Sequence, residues 1–365
     1  MKMSMSMSDL HFPCVNVNLS NLRYNFAYLQ RLNKRLGIDI DIVVKGVCAD
    51  LRICQELLSA GASSFADSRI ASLKKLRSVF QQQCKLTLLR IPMLSELPEA
   101  VKVVDTVLIS ELRSIEVLNA ECVRQQKNVN IVLMTELGDL REGILQEDLL
   151  DFTKKAVEFS NVRITGLGVN LTCFGGVMPT TENVGRLATL AKDVENAIGK
   201  SLPIVSGGAS SSLHLVFNET MPPGISHLRV GEAVFLGREC RFDNDLPDLK
   251  KGAFTLSAEI IELKDKPSIP FGEIGKRAVG KTPVLEDRGI RTKAVLAVGE
   301  QDVSVSGLKP LNNGVIVLGG SSDHTIVDVT DCDEDLDVGS ILNFEMDYAS
   351  MLKAFTSSFV HKHYF

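Results

Sequence analysis

The sequence lacks several features that would each have named a class of function. It has no excess of positive charge: 40 Lys and Arg stand against 45 Asp and Glu, a formal net charge of −5. A chain without a basic footprint is not built to cover a phosphate backbone, so nucleic acid is not an expected partner. Among its eight cysteines there is no CxxC pair and no Cys/His spacing of the zinc kind. No metal site is therefore expected, and free thiols in a reducing cytosol are. No apolar run approaches the roughly 20 residues that span a bilayer. The opening MKMSMSMSDLHFP alternates Met and Ser, with no continuous apolar segment and no small-residue cleavage site. That is not the pattern of a signal peptide, and residues 1–11 read as an N-terminal extension. The expectation is a soluble, cytoplasmic protein.

What is present points to two domains. The 365 residues are 45% hydrophobic and 23% charged, a globular composition long enough for two cores. From residue 14 to 240 one rhythm repeats: a short apolar run, an amphipathic helical stretch, another run. The runs are DIVVK (41–45), SSFADS (63–68), LTLLR (86–90), TVLIS (106–110), NIVLMTE (130–136), RITGLGVN (163–170), PIVSGG (203–208) and HLRVGEAVFLG (227–237). Eight runs separated by helices predict a (β/α)8 barrel over residues 12–245. An open doubly wound sheet is the alternative, and the absence of GxGxxG after the first run counts against it. Ser68 is expected to cap the helix within SRIASLKKLRSVF, Ser110 the helix ELRSIEVLNAECVRQ, and Thr180 or Thr181 the helix of TTENVGRLATLAKDVENA. Beyond residue 245 the runs are short, β-like and broken by Gly, Asp and Asn, as in GVIVLGGSSDHTIVDVTD. Residues 246–365 therefore read as a separate, mostly β domain, joined through the linker DNDLPDLKKG (243–252).

In a (β/α)8 barrel, chemistry gathers at the C-terminal ends of the strands. Lys45 ends the first run. Asp67, Ser68 and Arg69 follow the second, Arg90 ends the third, and Glu136 ends the fifth with Arg141 close behind. Asn170 ends the sixth, SGGASSS opens from the seventh, and Arg229 and Gly231 lie in the eighth. SGGASSSL (206–213) suits a phosphate, because glycines let backbone N–H groups approach and serine hydroxyls donate. Gly231 and Glu232 of RVGEA add backbone donors. A flexible Gly/Ser linker is the plain alternative, and the apolar LPIV and LHLVF on either side count against it. A lysine beside a phosphate cradle meets the needs of pyridoxal phosphate: an amine for a covalent link, donors for its phosphate, and a partner for its pyridine nitrogen. Lys45 is the candidate amine, expected to be desolvated at the end of an apolar strand. A snorkelling lysine at a strand exit is the other reading.

These segments resemble the alanine racemase family, in which a pyridoxal-phosphate barrel precedes a β domain. VVKGVCAD, LGDLREG, GLGVNLTCFGG, SGGASSS, LRVGEAVFLGRE and GGSSDHTIVDV carry the likeness, which covers nearly the whole chain from about residue 12. FADSRIASLKKL, LLRIPMLSE, ELGDLREGI, NLTCFGG, GGASSSL and SSDH are similar to its ornithine racemase branch. The resemblance implies a homodimer that interconverts the L and D forms of a basic amino acid, ornithine first, by proton transfer between two bases on opposite faces of the α-carbon. It implies Lys45 as the cofactor-bearing lysine and one of the bases. It implies Arg141 on the substrate carboxylate, Ser210 with Gly231 and Glu232 on the phosphate, and Arg229 facing the pyridine nitrogen. Asn170 stands where the family has a histidine packed on the cofactor ring.

The chain also departs from the family. The opposite-face base there is a second-domain tyrosine donated across the dimer. LAVGEQDV (296–303) occupies that segment, and none of Tyr24, Tyr28, Tyr348 and Tyr364 falls in it. Asp302, Asp323, His324, Glu300 and Cys173 are the remaining candidates, histidine being the side chain that exchanges protons near neutral pH. Ala49 stands where the family has a phosphate-binding tyrosine. A long cationic substrate needs a carboxylate, since an unpaired buried ammonium is costly; Glu300, Asp302 and Asp323 are candidates for that as well. The competing readings are an alanine or broad-specificity lysine/arginine racemase, a decarboxylase of the same plan, a non-catalytic pyridoxal-phosphate barrel protein, and a structural protein with no cofactor.

Overall fold

The computed structural model describes residues 11–239, 244–273, 275 and 286–365; residues 1–10 of the expected extension and residue 243 of the expected linker lie outside them. The chain divides into two compact units. One comprises Leu22–Lys45 with Ala49–Leu249, the other Met1–Asn21 with Gly46–Cys48 and Lys250–Phe365.

β1 (Cys14–Val17) and the start of α1 (Leu19–Arg35) open the chain. Eight strands then close into a parallel barrel: β2 (Asp39–Val43), β3 (Ser64–Asp67), β4 (Lys85–Leu88), β5 (Thr106–Ile109), β6 (Val129–Thr135), β7 (Val162–Val169), β8 (Ile204–Ala209) and β9 (His227–Val230). Between them run α2 (Leu51–Ser59), α3 (Ile70–Phe80), α4 (Leu97–Val103), α5 (Leu112–Gln125), α6 (Leu149–Ala156), α7 (Thr181–Ile198) and the short α8 (Leu213–Phe217), with α9 (Glu232–Leu236) after the last strand. Strand side chains alternate between the helix layer and the barrel interior. Ile42, Phe65, Leu86, Val107, Ile131, Leu133 and Leu228 are fully buried, which is what a strand covered by helices requires. The helices answer with one apolar stripe each: α3 buries Ile70, Leu73, Leu76 and Phe80, and α7 buries Val184, Leu187, Leu190, Ala191 and Val194. Each such leucine contributes about 1.5–3 kcal/mol of burial, and Leu73→Ala would cost about 2–5 kcal/mol.

Several local expectations change on the structure, and one cap holds. Thr180 does cap α7, accepting from Asn183 N. Ser68 does not cap α3, because Asp67, a carboxylate at the strand end, takes the Arg69 N–H at 2.9 Å. Ser110 does not cap α5, which begins after an extended Glu111 with no side-chain cap. HLRVGEAVFLG is not one long run either: it breaks at Gly231 into four-residue β9 and five-residue α9.

After the short antiparallel pair β10 (Arg238–Glu239) and β11 (Asn244–Asp245), the second unit is built on an eight-stranded sheet. Its strands are β12 (Phe254–Pro267), β13 (Ile290–Leu296), β14 (Leu308–Pro310), β15 (Ile316–Gly320), β16 (Thr325–Asp328), β17 (Ile341–Met346), β18 (His361–Tyr364) and β1, with α10 (Tyr348–Thr356) alongside. β12 is the spine, paired with β13, β17 and β1. β1 was expected to start the barrel domain, yet it joins this sheet through Cys14↔Ser257 and Cys14↔His361. Its partners stand at the far end of the sequence, where no local pattern can show them. No helix among the described residues is long and apolar enough to cross a membrane.

Candidate active site

Closure of the barrel pairs its first strand with its last. Asp39 lies beside His227 and Asp41 beside Arg229, and Ser206 of β8 lies beside His227. Residues distant in sequence thus share one side of the interior. Arg229 is 4% exposed. Its Nη1 donates to Ser206 Oγ at 2.5 Å, and its Nη2 donates to Val169 O at 2.7 Å and Asn170 Oδ1 at 3.0 Å. Gly168 makes the room: a Cβ there would lie 3.0 Å from Met134 Sδ, 3.2 Å from Val132 Cγ1 and 3.5 Å from Arg229 Nη1. Burial, with the nearby Arg141 charge acting in the same direction, pulls the guanidinium down to about 10, which leaves it charged at neutral pH. An arginine has five N–H bonds; three are engaged here, so two remain to meet a ligand.

A second chain of contacts runs along the strand ends. Asn170 Nδ2 donates to Glu142 Oε1 at 2.6 Å, and Glu142 grips Arg141 through two short hydrogen bonds. That pairing raises the Arg141 guanidinium and fixes the direction of the fork. Glu142 went unremarked in the sequence, although an acid directly after an arginine is the visible signal. Asp139 organises the neighbouring loop, with its carboxylate accepting from the N–H groups of Cys173, Phe174 and Val177. Cys173 itself is exposed.

At the end of β8 the chain turns through Ser210–Ser212 into α8. Ser210 Oγ accepts from Gly231 N and Ala233 N, both at 3.3 Å, so one hydroxyl and two amides converge. Ala233 was missed in the sequence; as a first-turn residue of α9 its N–H lacks a helical partner. Two glycines are required here. A Cβ on Gly231 would lie 2.9 Å from Val43 O, and Gly208, at φ +115°, would put one 2.4 Å from Ser212 Oγ.

Lys45 lies in the 3-10 turn Val44–Val47 directly after β2. It is exposed, not desolvated as the apolar run had suggested, because the strand ends two residues before it. Cys48 and Ala49 follow at φ +48° and +47°, a left-handed pair without glycine that holds about 1–3 kcal/mol of strain per residue. On the neighbouring strand Asp67 is buried. Burial pushes its carboxyl up to about 6, against the pull of the Arg69 and Ser68 N–H groups and the Lys45 ammonium.

The remaining candidates lie in the β-rich unit. The loop after β13 rests on the β15–β16 hairpin, with Glu300 N donating to Ser321 O and Gln301 N to Ser322 O, both at 2.8 Å. Glu300, Asp323 and His324 therefore share one corner. Glu300 pairs with Lys353 at 3.3 Å. Asp323, exposed, accepts from Ser322 and lies 2.9 Å from Nδ1 of the half-buried His324; the serine hydroxyl, then the imidazole, holds the Asp323 carboxyl low. Asp302 turns inward: it is buried and accepts from Ser357 Oγ at 2.6 Å.

The barrel residues fit pyridoxal phosphate. An exposed amine, a cradle of hydroxyl and amides that no Cβ may enter, and a buried guanidinium with N–H bonds to spare are the donor set that group needs. Comparison with known proteins agrees. A family model described as alanine racemase, N-terminal domain, matches residues 17–239. The chain is 42% identical to ornithine racemase of Acetoanaerobium sticklandii, covering 96% of this chain and 99% of that protein. It is 36% identical to lysine racemase of Thermotoga maritima, covering 97% and 98%. Alanine racemase from Streptomyces coelicolor shares the fold at a TM-score of 0.72 with 17% identity, over 96% of this chain and 97% of that one. Alanine racemase from Bartonella henselae with covalently bound pyridoxal phosphate gives 0.72 and 17% over 98% and 100%.

Proposed function

We propose, from the premise that this chain belongs to the alanine racemase family, that it is a pyridoxal-phosphate-dependent amino-acid racemase acting on a basic amino acid, ornithine before lysine. Both curated relatives above act on basic amino acids, which supports that substrate class over alanine. The observation that carries the chemistry is Arg229, buried inside the barrel, charged, and left with two N–H bonds.

When bound, pyridoxal phosphate withdraws electrons from the substrate's Cα–H bond. The chain's own residues do the rest. Lys45 Nζ would hold the cofactor covalently, and as a free amine would move the α-proton on one face. Arg141, aimed by Glu142, binds the substrate carboxylate through its planar fork. Ser210, Gly231 and Ala233 bind the phosphate, with Glu232 alongside. Arg229 would face the pyridine nitrogen as a donor and give up no proton, since arginine stays charged; Asn170 fixes its far side. The opposite-face base comes from the β-rich unit of a second copy in a homodimer. The half-buried His324, backed by Asp323, is the first candidate and the inward-turned Asp302 the second, and Glu300 is a carboxylate for the substrate's distal ammonium. The protein's place is a reducing cytoplasm, where free thiols persist.

The test is α-proton exchange in D2O with single enantiomers of ornithine, lysine, arginine and alanine, together with borohydride reduction and peptide mapping. Deuterium should enter with inversion for ornithine, more slowly for lysine and not for alanine, and the reduced cofactor should map to Lys45. Release of carbon dioxide, or exchange with alanine alone, would sink the proposal.

A further inference from the structure

We infer that Ser206, His227 and Asp41 form a relay of positioning residues that aims Arg229 from beneath. The inference rests on the proposed placement of Arg229 against the pyridine nitrogen. The relay is continuous and buried: Arg229 Nη1 to Ser206 Oγ at 2.5 Å, Ser206 Oγ to His227 Nδ1 at 2.9 Å, His227 Nε2 to Asp41 Oδ1 at 3.4 Å, and Ser64 Oγ to Asp41 Oδ1 at 2.5 Å. None of the five residues is more than 9% exposed.

The two ends have fixed roles. Arginine can only donate and a carboxylate can only accept. Ser206 Oγ accepts from Arg229 and keeps a second lone pair and its own proton, so it meets His227 Nδ1 as donor or acceptor. The Asp41 carboxylate only accepts, so the His227 nitrogen facing it, Nε2, carries a proton. Asp41 remains a carboxylate: burial pushes it up, but His227, with the Ser64 and Thr87 hydroxyls, holds it at about 2.

Packing alone does not call for these residues. The interior of a (β/α)8 barrel is ordinarily filled by bulky branched side chains, and apolar replacements of buried charged groups often stabilise. Here the same positions line a cavity of about 650 Å3 whose walls include Asp41, Ser64, Thr87, Ser206, His227 and Arg229. Val169 O and Asn170 hold one edge of the guanidinium, and the relay holds the other. Without the relay the group can rotate about the first edge, and the two spare N–H bonds lose their aim.

His227→Leu removes the relay, whereas His227→Gln keeps both contacts, because the amide oxygen accepts from Ser206 and the amide N–H donates to Asp41. In the holoenzyme, His227→Leu should lower kcat about tenfold, the scale seen when outer partners of a bound group are lost. KM should stay within about twofold, since substrate contacts are untouched. The absorbance band of the bound cofactor should shift, and His227→Gln should restore both band and rate. Nitrogen NMR of the wild-type holoenzyme should show His227 protonated at Nε2. A bare Nε2, or His227→Leu matching wild type in rate and spectrum, overturns the relay. If His227→Leu does not fold, the NMR result and the behaviour of His227→Gln still decide. Borohydride trapping on Lys45 separates the two claims: no trapping in wild type defeats the proposed function, while the proton at His227 Nε2 still tests the relay.

Discussion

The barrel interior has two walls of opposite character. On one, Leu108 of β5 and Val132 and Met134 of β6 form an apolar cluster with Leu89, Ile91 and Ile204. On the other, β2, β3, β8 and β9 turn Asp41, Ser64, Ser206, His227 and Arg229 inward. The boundary runs through β8, where Ile204 joins the first wall and Ser206 the second. The apolar wall supplies what any such barrel needs. A polar wall costs stability unless every group is paired, and here the groups pair with one another up to the spare N–H bonds of Arg229. One wall therefore holds the fold and the other aims the site, and changes in each should fail differently.

The largest expected effect lies at the rim of the polar wall. Lys45→Ala should end covalent cofactor attachment and cut α-proton exchange by about 10³-fold or more, about 4 kcal/mol of barrier. The melting temperature of the apoprotein should barely move, because an exposed side chain contributes within about 0.5 kcal/mol. Borohydride labelling of the variant at an unchanged level would remove Lys45 from the site.

Met134→Ala probes the opposite wall. It should cost about 3 kcal/mol in a denaturant melt, through lost burial and a cavity. The kcat per folded molecule should stay within about threefold, since no proposed contact to cofactor or substrate is touched. A loss of turnover as large as that of His227→Leu, without loss of stability, would dissolve the distinction between the walls.

Asp67 sharpens the comparison between paired and under-paired carboxylates. Asp41 is held at about 2 by its partners, while Asp67 is raised to about 6 by burial. A carboxyl raised on folding gives stability that is full below its unfolded value of 3.8 and lost as pH rises through about 6. The apoprotein should therefore lose on the order of 2 kcal/mol between about pH 4 and pH 7 on account of Asp67. Asp67→Asn should remove that part of the slope. Parallel stability-against-pH curves for the two proteins would refute it.

The fold was legible where chemistry repeats. Eight apolar runs spaced by amphipathic helices carry the barrel, because each strand is buried on its helix face and must be apolar there. Lys45, Ser210 and Arg229 stood out as residue types that strand ends do not need. The relay was not legible: His227 and Asp41 are ordinary strand positions until closure pairs β2 with β9, and that pairing joins segments at opposite ends of the barrel sequence. β1 hid for the same reason, its partners being β12 and β18. The exposure of Lys45 depends on where β2 ends, which Ile–Val periodicity does not mark. Ala233 and Glu142 act through a helix terminus and a neighbouring charge, so their roles follow from geometry.

Gly168→Ala tests the seam between the walls and should have the smallest effect. The added methyl would meet Met134 Sδ at 3.0 Å and Val132 Cγ1 at 3.2 Å, tight against the apolar wall, and Arg229 Nη1 at 3.5 Å, an ordinary contact with the polar one. The methionine thioether is adaptable and can give way. Restricting the unfolded chain offsets part of the strain by about 0.4–1 kcal/mol, and the net cost should be about 1 kcal/mol. If the walls communicate through this contact, Met134→Ala should relieve it. The double variant would then be about 1 kcal/mol more stable than the sum of the single changes. Strict additivity would mean that Val132, at 3.2 Å, bears the strain instead of Met134.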